Sequence, residues 1–180
     1  ALDKNRNTLC LARGPMGQKP LYVATKDFFQ GAQETKPFLA FSSELQSLTQ
    51  HPQANPQISP VSVSRFLAFD FVPDPDCIYQ NVYKVPPGHH VMLDLNQRLP
   101  DAPGLTTTPY WDLCFGSVAQ PTAYPDRLEL LRQTLAVSIQ KRMVADVPLG
   151  VFLSGGIDSS LVAALATEFT DKLQTFSIAF

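Results

Sequence analysis

The sequence lacks the features expected of a nucleic-acid-binding or membrane protein. Its 180 residues carry 14 basic and 16 acidic side chains and a net charge of -2, so no basic surface for a phosphate backbone is expected. No apolar run reaches the roughly 18 residues that a membrane-spanning helix requires. We therefore expect no nucleic-acid partner and no membrane partner.

Cysteine and histidine are scarce as well, with three residues of each type. The cysteines are Cys10, Cys77 and Cys114. Their odd number and wide spacing suit neither a disulfide framework nor a metal site, and favour reduced core thiols. His89 and His90 follow Pro-Pro-Gly and are expected at the surface or at the start of a strand. No H-E-x-x-H metal spacing is present.

Apolar side chains are abundant, at 44% of the residues, which predicts a packed core and argues against general disorder. Up to about residue 48 the chain reads as β structure, with strands at 8–13 and 19–25 on either side of a turn rich in glycine and proline. Five further segments are predicted: a strand running into a helix capped by Ser42 or Ser43 (37–48), a loop (50–60), a short buried helix ended by Pro73 and Pro75 (62–72), and strands at 86–95 and 107–115.

The residue pattern changes after residues 116–125, which are the best candidate for a linker. Beyond them apolar residues recur at helical spacing in a stripe expected to face a core: Leu128, Leu131, Leu135, Ile139 and Met143. Pro148 is expected to end this helix. A strand (150–153), a turn (154–156), a helix (158–169) and a strand (174–180) then follow. This order predicts a βαβ unit with a parallel sheet.

The segment GVFLSGGIDSSLVAALA, residues 150–166, places a glycine turn at the carboxyl end of a predicted parallel strand, where ligands bind in such sheets. The backbone N–H groups of the first helical turn, with the hydroxyls of Ser154, Ser159 and Ser160, suit a phosphate or pyrophosphate. Asp158 fits beside that anion if a divalent cation lies between them. The alternative is that Asp158 and its neighbouring serines only cap the helix.

Two other loop types fit this segment poorly. A Walker loop requires Lys after its last glycine, where Ile157 stands. A nucleophile elbow requires Gly two residues before the serine, and Phe152 occupies that position relative to Ser154.

Several stretches carry a family resemblance. The loop FLSGGIDSS resembles the S-G-G-x-D-S pyrophosphate loop of the ATP-pyrophosphatase fold. Upstream, LARGPMGQKPLYV is similar to L-A-R-D-x-x-G-x-K-P-L-Y-Y, and FSSELQSL to F-A-S-E-x-K-A-L. The segments VYKVPPGHHVMLDL, YWDL and KRMVADVPLGVFLSGGIDSS also match the same family, the glutamine-hydrolysing asparagine synthetases. The resemblance covers almost the whole chain in the family's order.

The resemblance implies an α+β part followed by an α/β part. Residues 1–117 are then the C-terminal part of a glutamine amidotransferase type 2 domain, an N-terminal-nucleophile hydrolase sandwich with αββα layers. Residues 118–180 are then the start of an ATP-pyrophosphatase domain, like that of the adenine nucleotide α-hydrolases, with the first βαβ unit of its parallel sheet. Both domains are expected to be truncated.

The resemblance also implies a cytoplasmic ligase with ATP and Mg²⁺ as cofactors, and with aspartate, glutamine and ATP as substrates. The aspartate side-chain carboxylate is adenylated to β-aspartyl-AMP, which ammonia released from glutamine converts to asparagine. The residues implied to bind ATP or pyrophosphate are Leu153, Ser154, Gly155, Gly156, Asp158, Ser159 and Ile178. Asp158 is also the implied metal ligand, and a homodimer is left open.

The sequence departs from the family at several positions. The family's glutamine nucleophile is a cysteine at the mature N-terminus, whereas residue 1 here is Ala, so we expect these 180 residues alone to release no glutamate from glutamine. Gly14 and Met16 replace the family's Asp and its aromatic or aliphatic residue. Two alternatives stay open: a β-lactam synthetase-like or other divergent amidotransferase that adenylates a different carboxylate, and a non-catalytic interaction module.

Overall fold

The computed structural model describes residues 1–29, 39–96, 106–116 and 123–178. The chain forms two compact units, Ala1–Cys114 and Phe115–Phe180. Both contain helices and small β-sheets, so the mixed α and β composition predicted from the sequence is confirmed. The finer assignments, to a hydrolase sandwich and to an ATP-pyrophosphatase sheet, stay predictions.

The strands of the first unit make two antiparallel sheets. In chain order its described elements are β1 (Leu2–Asp3), β2 (Thr8–Ala12), β3 (Tyr22–Thr25), a 3₁₀ helix (Lys26–Phe28), β4 (Leu39–Ser42), α1 (Leu45–Thr49), α2 (Pro60–Phe69), β5 (Val82–Lys84), β6 (His89–Asp94) and β7 (Thr108–Pro109). One sheet has the order β1-β2-β6-β7 and the other β4-β3-β5. The consecutive strands β2 and β3 therefore lie in different sheets.

The two sheets share one hydrophobic core. Val91 and Leu93 of β6 pack with Leu11 of β2 and with Val23 of β3. Between them Met92 points away and is exposed, as the two-residue period of a strand requires. Leu11 lies opposite Val91, and a one-residue slip of this pairing would expose both β6 core side chains, so burial sets the register.

A second core lies on the other face of β3. Ala24 of that strand packs there with Phe28 of the 3₁₀ helix, Leu48 of α1 and the buried Cys77. Because Val23 and Ala24 are adjacent in the strand, they face opposite sides of the sheet. The central strand β3 is thus covered on both faces.

Helix α2 corrects the predicted buried helix over 62–72. It ends at Phe69 and is closed by Asp70 in the left-handed conformation, three residues before Pro73. Four apolar side chains at its end, predicted as buried, are all exposed: Phe66, Leu67, Phe69 and Phe71. With about 100° between successive helical residues, Phe66, Leu67 and Phe69 spread over an arc of roughly 160°, and Phe71 lies beyond the helix end, so the four do not form one narrow stripe.

Two smaller predictions in the first unit are also corrected. The N-cap of α1 is Glu44, not Ser42 or Ser43, although the Ser42 hydroxyl accepts a hydrogen bond from the Glu44 N–H at 3.1 Å. The strand predicted over 107–115 is only the two residues of β7. After it the N–H groups of Tyr110 and Trp111 both donate to the Gly88 carbonyl, at 2.8 and 3.2 Å, which turns the chain out of the ladder.

Gly88 provides the first testable prediction. Its φ is +67°, and an added Cβ would lie 2.5 Å from the Trp111 carbonyl oxygen. We expect Gly88→Ala to lower the free energy of unfolding by roughly 1–3 kcal/mol from backbone strain, with the clash adding to it. Gly14→Ala is the matched control, because the Gly14 carbonyl accepts a hydrogen bond from the Gly88 N–H at 3.2 Å. Gly14 itself has no neighbour within 4 Å and no left-handed backbone. Urea denaturation of both variants measures the difference, and equal losses would contradict the strain argument.

The second unit contains the predicted βαβ arrangement. Its described elements are α3 (Tyr124–Arg142), β8 (Gly150–Phe152), α4 (Ile157–Ala166) and β9 (Gln174–Phe176). Strands β8 and β9 pair in parallel, with Phe152 opposite Phe176. The strand predicted to reach residue 180 ends at Phe176, and residues 179–180, like residues 117–122 of the predicted linker, lie outside the described residues.

Helix α3 agrees with its predicted position but not fully with its predicted environment. The last three residues of its predicted apolar stripe are half-buried, whereas the first two, Leu128 and Leu131, are exposed. The helix ends at Arg142, well before Pro148, in a tightened turn where the Met143 N–H donates to the Gln140 carbonyl. No helix in the described parts of the chain is long and apolar enough to cross a membrane.

Candidate functional site

The candidate site is the loop that joins β8 to α4, residues 153–156. It follows the carboxyl end of β8, the position at which ligands bind in parallel sheets. The Leu153 N–H donates to the Phe176 carbonyl at 2.8 Å, so the loop begins directly at the end of the β8–β9 pairing. Six of the seven predicted site residues lie in this one continuous segment, from Leu153 to Ser159.

The two glycines of the loop differ in backbone conformation. Gly155 has φ +81°, a region that favours glycine, and an added Cβ would meet nothing within 4 Å. Gly156 is the N-cap of α4 with φ -77°, and its added Cβ would make only an ordinary contact of 3.5 Å with the Ser154 hydroxyl. The backbone conformation therefore requires glycine at residue 155. At residue 156, the protein's own structure leaves room for a side chain.

A hydroxyl network holds the loop together. Ser159 Oγ accepts from the Ser154 N–H at 3.2 Å and donates to the Gly156 carbonyl at 3.1 Å. Because its one proton is used there, the 3.0 Å contact between Ser154 Oγ and Ser159 Oγ has Ser154 as the donor. Ser160 Oγ donates to the same Gly156 carbonyl at 2.8 Å. The serines thus bond to one another and to the loop backbone.

The start of α4 leaves hydrogen-bond donors free. In the described part of the chain, the N–H groups of residues 155–159 donate to no protein acceptor, and no side chain caps the helix. The Asp158 carboxylate is exposed and likewise has no hydrogen-bond or ion-pair partner among those residues. The alternative in which Asp158 and the serines merely cap the helix is therefore not supported by their hydrogen bonds. A row of free N–H groups at a helix start suits an anion.

The Asp158 carboxylate is of the chemical type that Mg²⁺ prefers, but the residues that the structure describes supply few further ligands. Among the residues that the structure describes, no three His, Cys, Asp or Glu side chains form a metal-binding group. Magnesium is commonly held by one or two carboxylates with phosphate oxygens and water completing the shell. The free Asp158 carboxylate beside a loop with free N–H groups fits that pattern.

Ile178 lies apart from the loop in sequence but next to it in the fold. It is exposed and follows the end of β9, the strand paired with β8. Sequence reasoning missed its neighbour Ser177, whose hydroxyl donates to the Leu153 carbonyl at 2.7 Å. No local pattern marks this serine, because its partner lies 24 residues away.

The LARGPMGQKPLYV stretch has a structural role in the first unit. Arg13 pairs with Asp74 at 2.7 Å and donates to the Val85 carbonyl at 2.8 Å and the Gly17 carbonyl at 3.1 Å. Lys84 pairs with the same carboxylate at 2.9 Å. Arg13, with only 10% of its side chain exposed, thus joins the turn after β2 to the segment around β5.

The cysteines occupy three different environments. Cys77 is buried, Cys10 is half-buried and Cys114 is exposed, so the prediction of core thiols is wrong for Cys114. Burial raises the pKa of the Cys77 thiol above its ordinary value. That none of the three serves as a glutamine nucleophile stays a prediction.

The difference in burial between Cys77 and Cys114 predicts how fast each thiol is alkylated. Because the thiolate is the reactive form, we expect Cys77 in the native protein to react with iodoacetamide at neutral pH at least about tenfold more slowly than Cys114. Mass spectrometry of the two peptides measures both rates, and labelling in urea is the control in which the rates should converge. Equal rates in the native protein would contradict the expectation that the Cys77 thiol is buried and protonated.

Comparisons with known proteins match both units. A family model described as a glutamine amidotransferase domain matches residues 1–111, and one described as asparagine synthase matches residues 130–180. The chain is 33% identical over 187 residues to a putative glutamine-hydrolyzing asparagine synthetase 2 of Methanocaldococcus jannaschii, covering 99% of this chain and 32% of that protein. It is 34% identical over 179 residues to the glutamine-hydrolyzing asparagine synthetase 1 of Bacillus subtilis, covering 99% of this chain and 25% of that protein.

A differently named relative is also similar. The amidase chry2 of Gibberella zeae is 32% identical over 169 residues, which cover 92% of this chain and 22% of that protein. The chain thus spans about a third or less of the length of each of these curated relatives.

Proposed function

Because the chain belongs to the family of glutamine-hydrolysing asparagine synthetases, we propose that the whole protein makes asparagine from aspartate, ATP and glutamine. In this reaction the aspartate side-chain carboxylate attacks the α-phosphorus of ATP, which forms β-aspartyl-AMP and releases pyrophosphate. Ammonia released from glutamine then attacks the acyl carbon, giving asparagine and AMP, with glutamate as the other product. The observation that carries the proposal is the loop after β8, with its free N–H groups and its free carboxylate.

In this proposal the loop holds the pyrophosphate part of ATP. The N–H groups of residues 155–159 donate to the phosphate oxygens, and the positive end of the α4 dipole favours their charge. Ser154 and Ser159 line the same loop and contact the phosphates once the hydrogen bond between them opens. Leu153 and Ile178, at the ends of neighbouring strands, contact the nucleotide.

Asp158 is the residue proposed to hold Mg²⁺. It lies in the first turn of α4, beside the free N–H groups, and its carboxylate is unbonded among the described residues. The cation, when bound, supplies positive charge that offsets the charge gathered on the leaving pyrophosphate. Asp158 therefore contributes to the chemical step through the ion that it positions.

We assign the two units to two catalytic domains. Residues 1–117 are proposed to be part of a glutamine amidotransferase type 2 domain with a hydrolase sandwich, which the two sheets around a shared core support. Residues 118–180 are proposed to begin an ATP-pyrophosphatase sheet, which the parallel β8–α4–β9 unit supports. A cytoplasmic location stays a prediction.

ATP–pyrophosphate exchange by the whole protein tests the proposed function. We expect radiolabelled pyrophosphate to enter ATP only when aspartate and Mg²⁺ are present, because the exchange requires reversible adenylation of the carboxylate. Asparagine should then form when glutamine or ammonia is added. Exchange without any carboxylate, or no exchange with aspartate, would contradict asparagine synthesis.

A second candidate differs only in the carboxylate. The similarity to an amidase of a different name, and Gly14 in place of the family's Asp, favour a divergent member that adenylates another acid. The same exchange assay with a panel of carboxylic acids, β-amino acids among them, separates the two. Exchange that depends on one of these acids and not on aspartate would favour the second candidate.

A further inference from the structure

The pairing of β8 with β9 ends at a hydrogen bond from the Ser177 side chain. Its hydroxyl donates to the Leu153 carbonyl at 2.7 Å, directly beyond the last paired residues, Phe152 and Phe176. The Leu153 N–H donates to the Phe176 carbonyl at 2.8 Å. Both backbone polar groups of Leu153 are therefore bound by residues at the end of β9.

A regular parallel ladder would use a different donor at this point. With the Leu153 N–H bonded to Phe176, the next bond of the ladder would run from the Ile178 N–H to the Leu153 carbonyl. In the described part of the chain that bond is not made, and the Ser177 side chain takes its place. The hydroxyl thus keeps the Leu153 carbonyl oriented toward the β9 side, although the Ile178 backbone no longer pairs with the β8 strand.

This bond acts on the peptide group that starts the loop. The Leu153 carbonyl and the Ser154 N–H belong to one planar peptide. Ser177 holds its oxygen at 2.7 Å, and Ser159 Oγ accepts from its N–H at 3.2 Å. The plane from which the loop departs is thereby fixed from both sides, once from β9 and once from α4.

We propose that Ser177 is a positioning residue for nucleotide binding, which orients Leu153 and Ile178 toward the nucleotide without itself contacting it. The inference rests on the proposed function, since it takes these two residues as nucleotide contacts. A lost hydroxyl lets the Leu153 peptide rotate and lets Ile178 return to the ladder. Affinity for ATP then falls, whereas the chemical step, which depends on the loop N–H groups and Asp158, is retained.

Three variants of the whole protein test this inference. Ser177→Ala removes the hydroxyl, and Ser177→Thr restores one at the same position. Thr167→Ala is the matched control, because Thr167 is also exposed and also donates to a backbone carbonyl, that of Ala164, at 2.7 Å, but at the far end of α4. ATP binding by the wild-type protein is measured directly first. KM for ATP and kcat of all variants are then measured in the exchange assay.

The expected result for Ser177→Ala is a rise of about 3- to 10-fold in KM for ATP, the factor for one lost hydrogen bond. Its kcat should stay within about twofold of wild type, and Ser177→Thr should return KM to near the wild-type value. A wild-type KM in Ser177→Ala, an equal rise in Thr167→Ala, or no recovery in Ser177→Thr would overturn the inference alone. No ATP binding by the wild-type protein would overturn the proposed function together with it.

Discussion

Replacing Asp158 with alanine should lower the rate of ATP–pyrophosphate exchange by about 10²- to 10³-fold, the usual cost of removing one positioned charge-stabilising group. Asp158 lies in the first turn of α4 with a carboxylate that is exposed and unbonded among the described residues. In the proposed reaction, negative charge grows on the leaving pyrophosphate as the substrate carboxylate attacks the α-phosphorus. In the proposed role of Asp158, the cation that offsets this charge would lose a protein ligand in the alanine variant.

Two further variants separate this role from a helix-stabilising one. Asp158→Asn keeps the size and the capping ability of the side chain but removes its charge, so it should lose activity nearly as far as the alanine variant. Asp126→Ala removes the first-turn carboxylate of α3 and should leave exchange unchanged. Normal exchange with a lowered melting temperature in Asp158→Ala would instead assign Asp158 to helix stability. Any glutaminase activity should be nearly the same in all three variants.

Gly155→Ala should lower kcat/KM for ATP by roughly 5- to 150-fold, which is the factor that corresponds to a strain of about 1–3 kcal/mol. Gly155 has φ +81°, a conformation that side chains with a Cβ adopt only at a cost. The loop can relieve that strain in the free protein by changing shape, because nothing lies within 4 Å of the added Cβ. In its proposed role, the loop must regain the observed shape to present its N–H groups to the phosphates.

Gly156→Ala is the control for this second prediction. Its φ of -77° is ordinary and its added Cβ makes a contact of 3.5 Å, so the loop keeps its conformation. We expect a smaller loss of kcat/KM in this variant and a melting temperature close to that of the wild type. Equal losses in both variants would show that space for the ligand, and not backbone strain, requires the glycines.

The strand–turn–helix–strand order of the second unit could be read from the sequence because its causes are local. Glycine at residues 155 and 156, hydroxyls at the helix start and apolar runs on either side are all contiguous in the chain. The turn, the start of α4 and the parallel pairing of β8 with β9 follow from these neighbours. For the same reason six of the seven predicted site residues lie together.

Only the tertiary structure decided features whose partners are distant in the sequence. Which side of α2 is buried depends on what packs against it, so the apolar content around Phe66 and Leu67 did not predict their exposure. The short β7 results from the Gly88 carbonyl accepting the N–H groups of both Tyr110 and Trp111. Ser177 became visible as part of the site only when β9 was placed beside β8. A hydrogen bond across 24 residues leaves no periodic pattern in the chain, because its geometry is set by strand pairing and not by spacing.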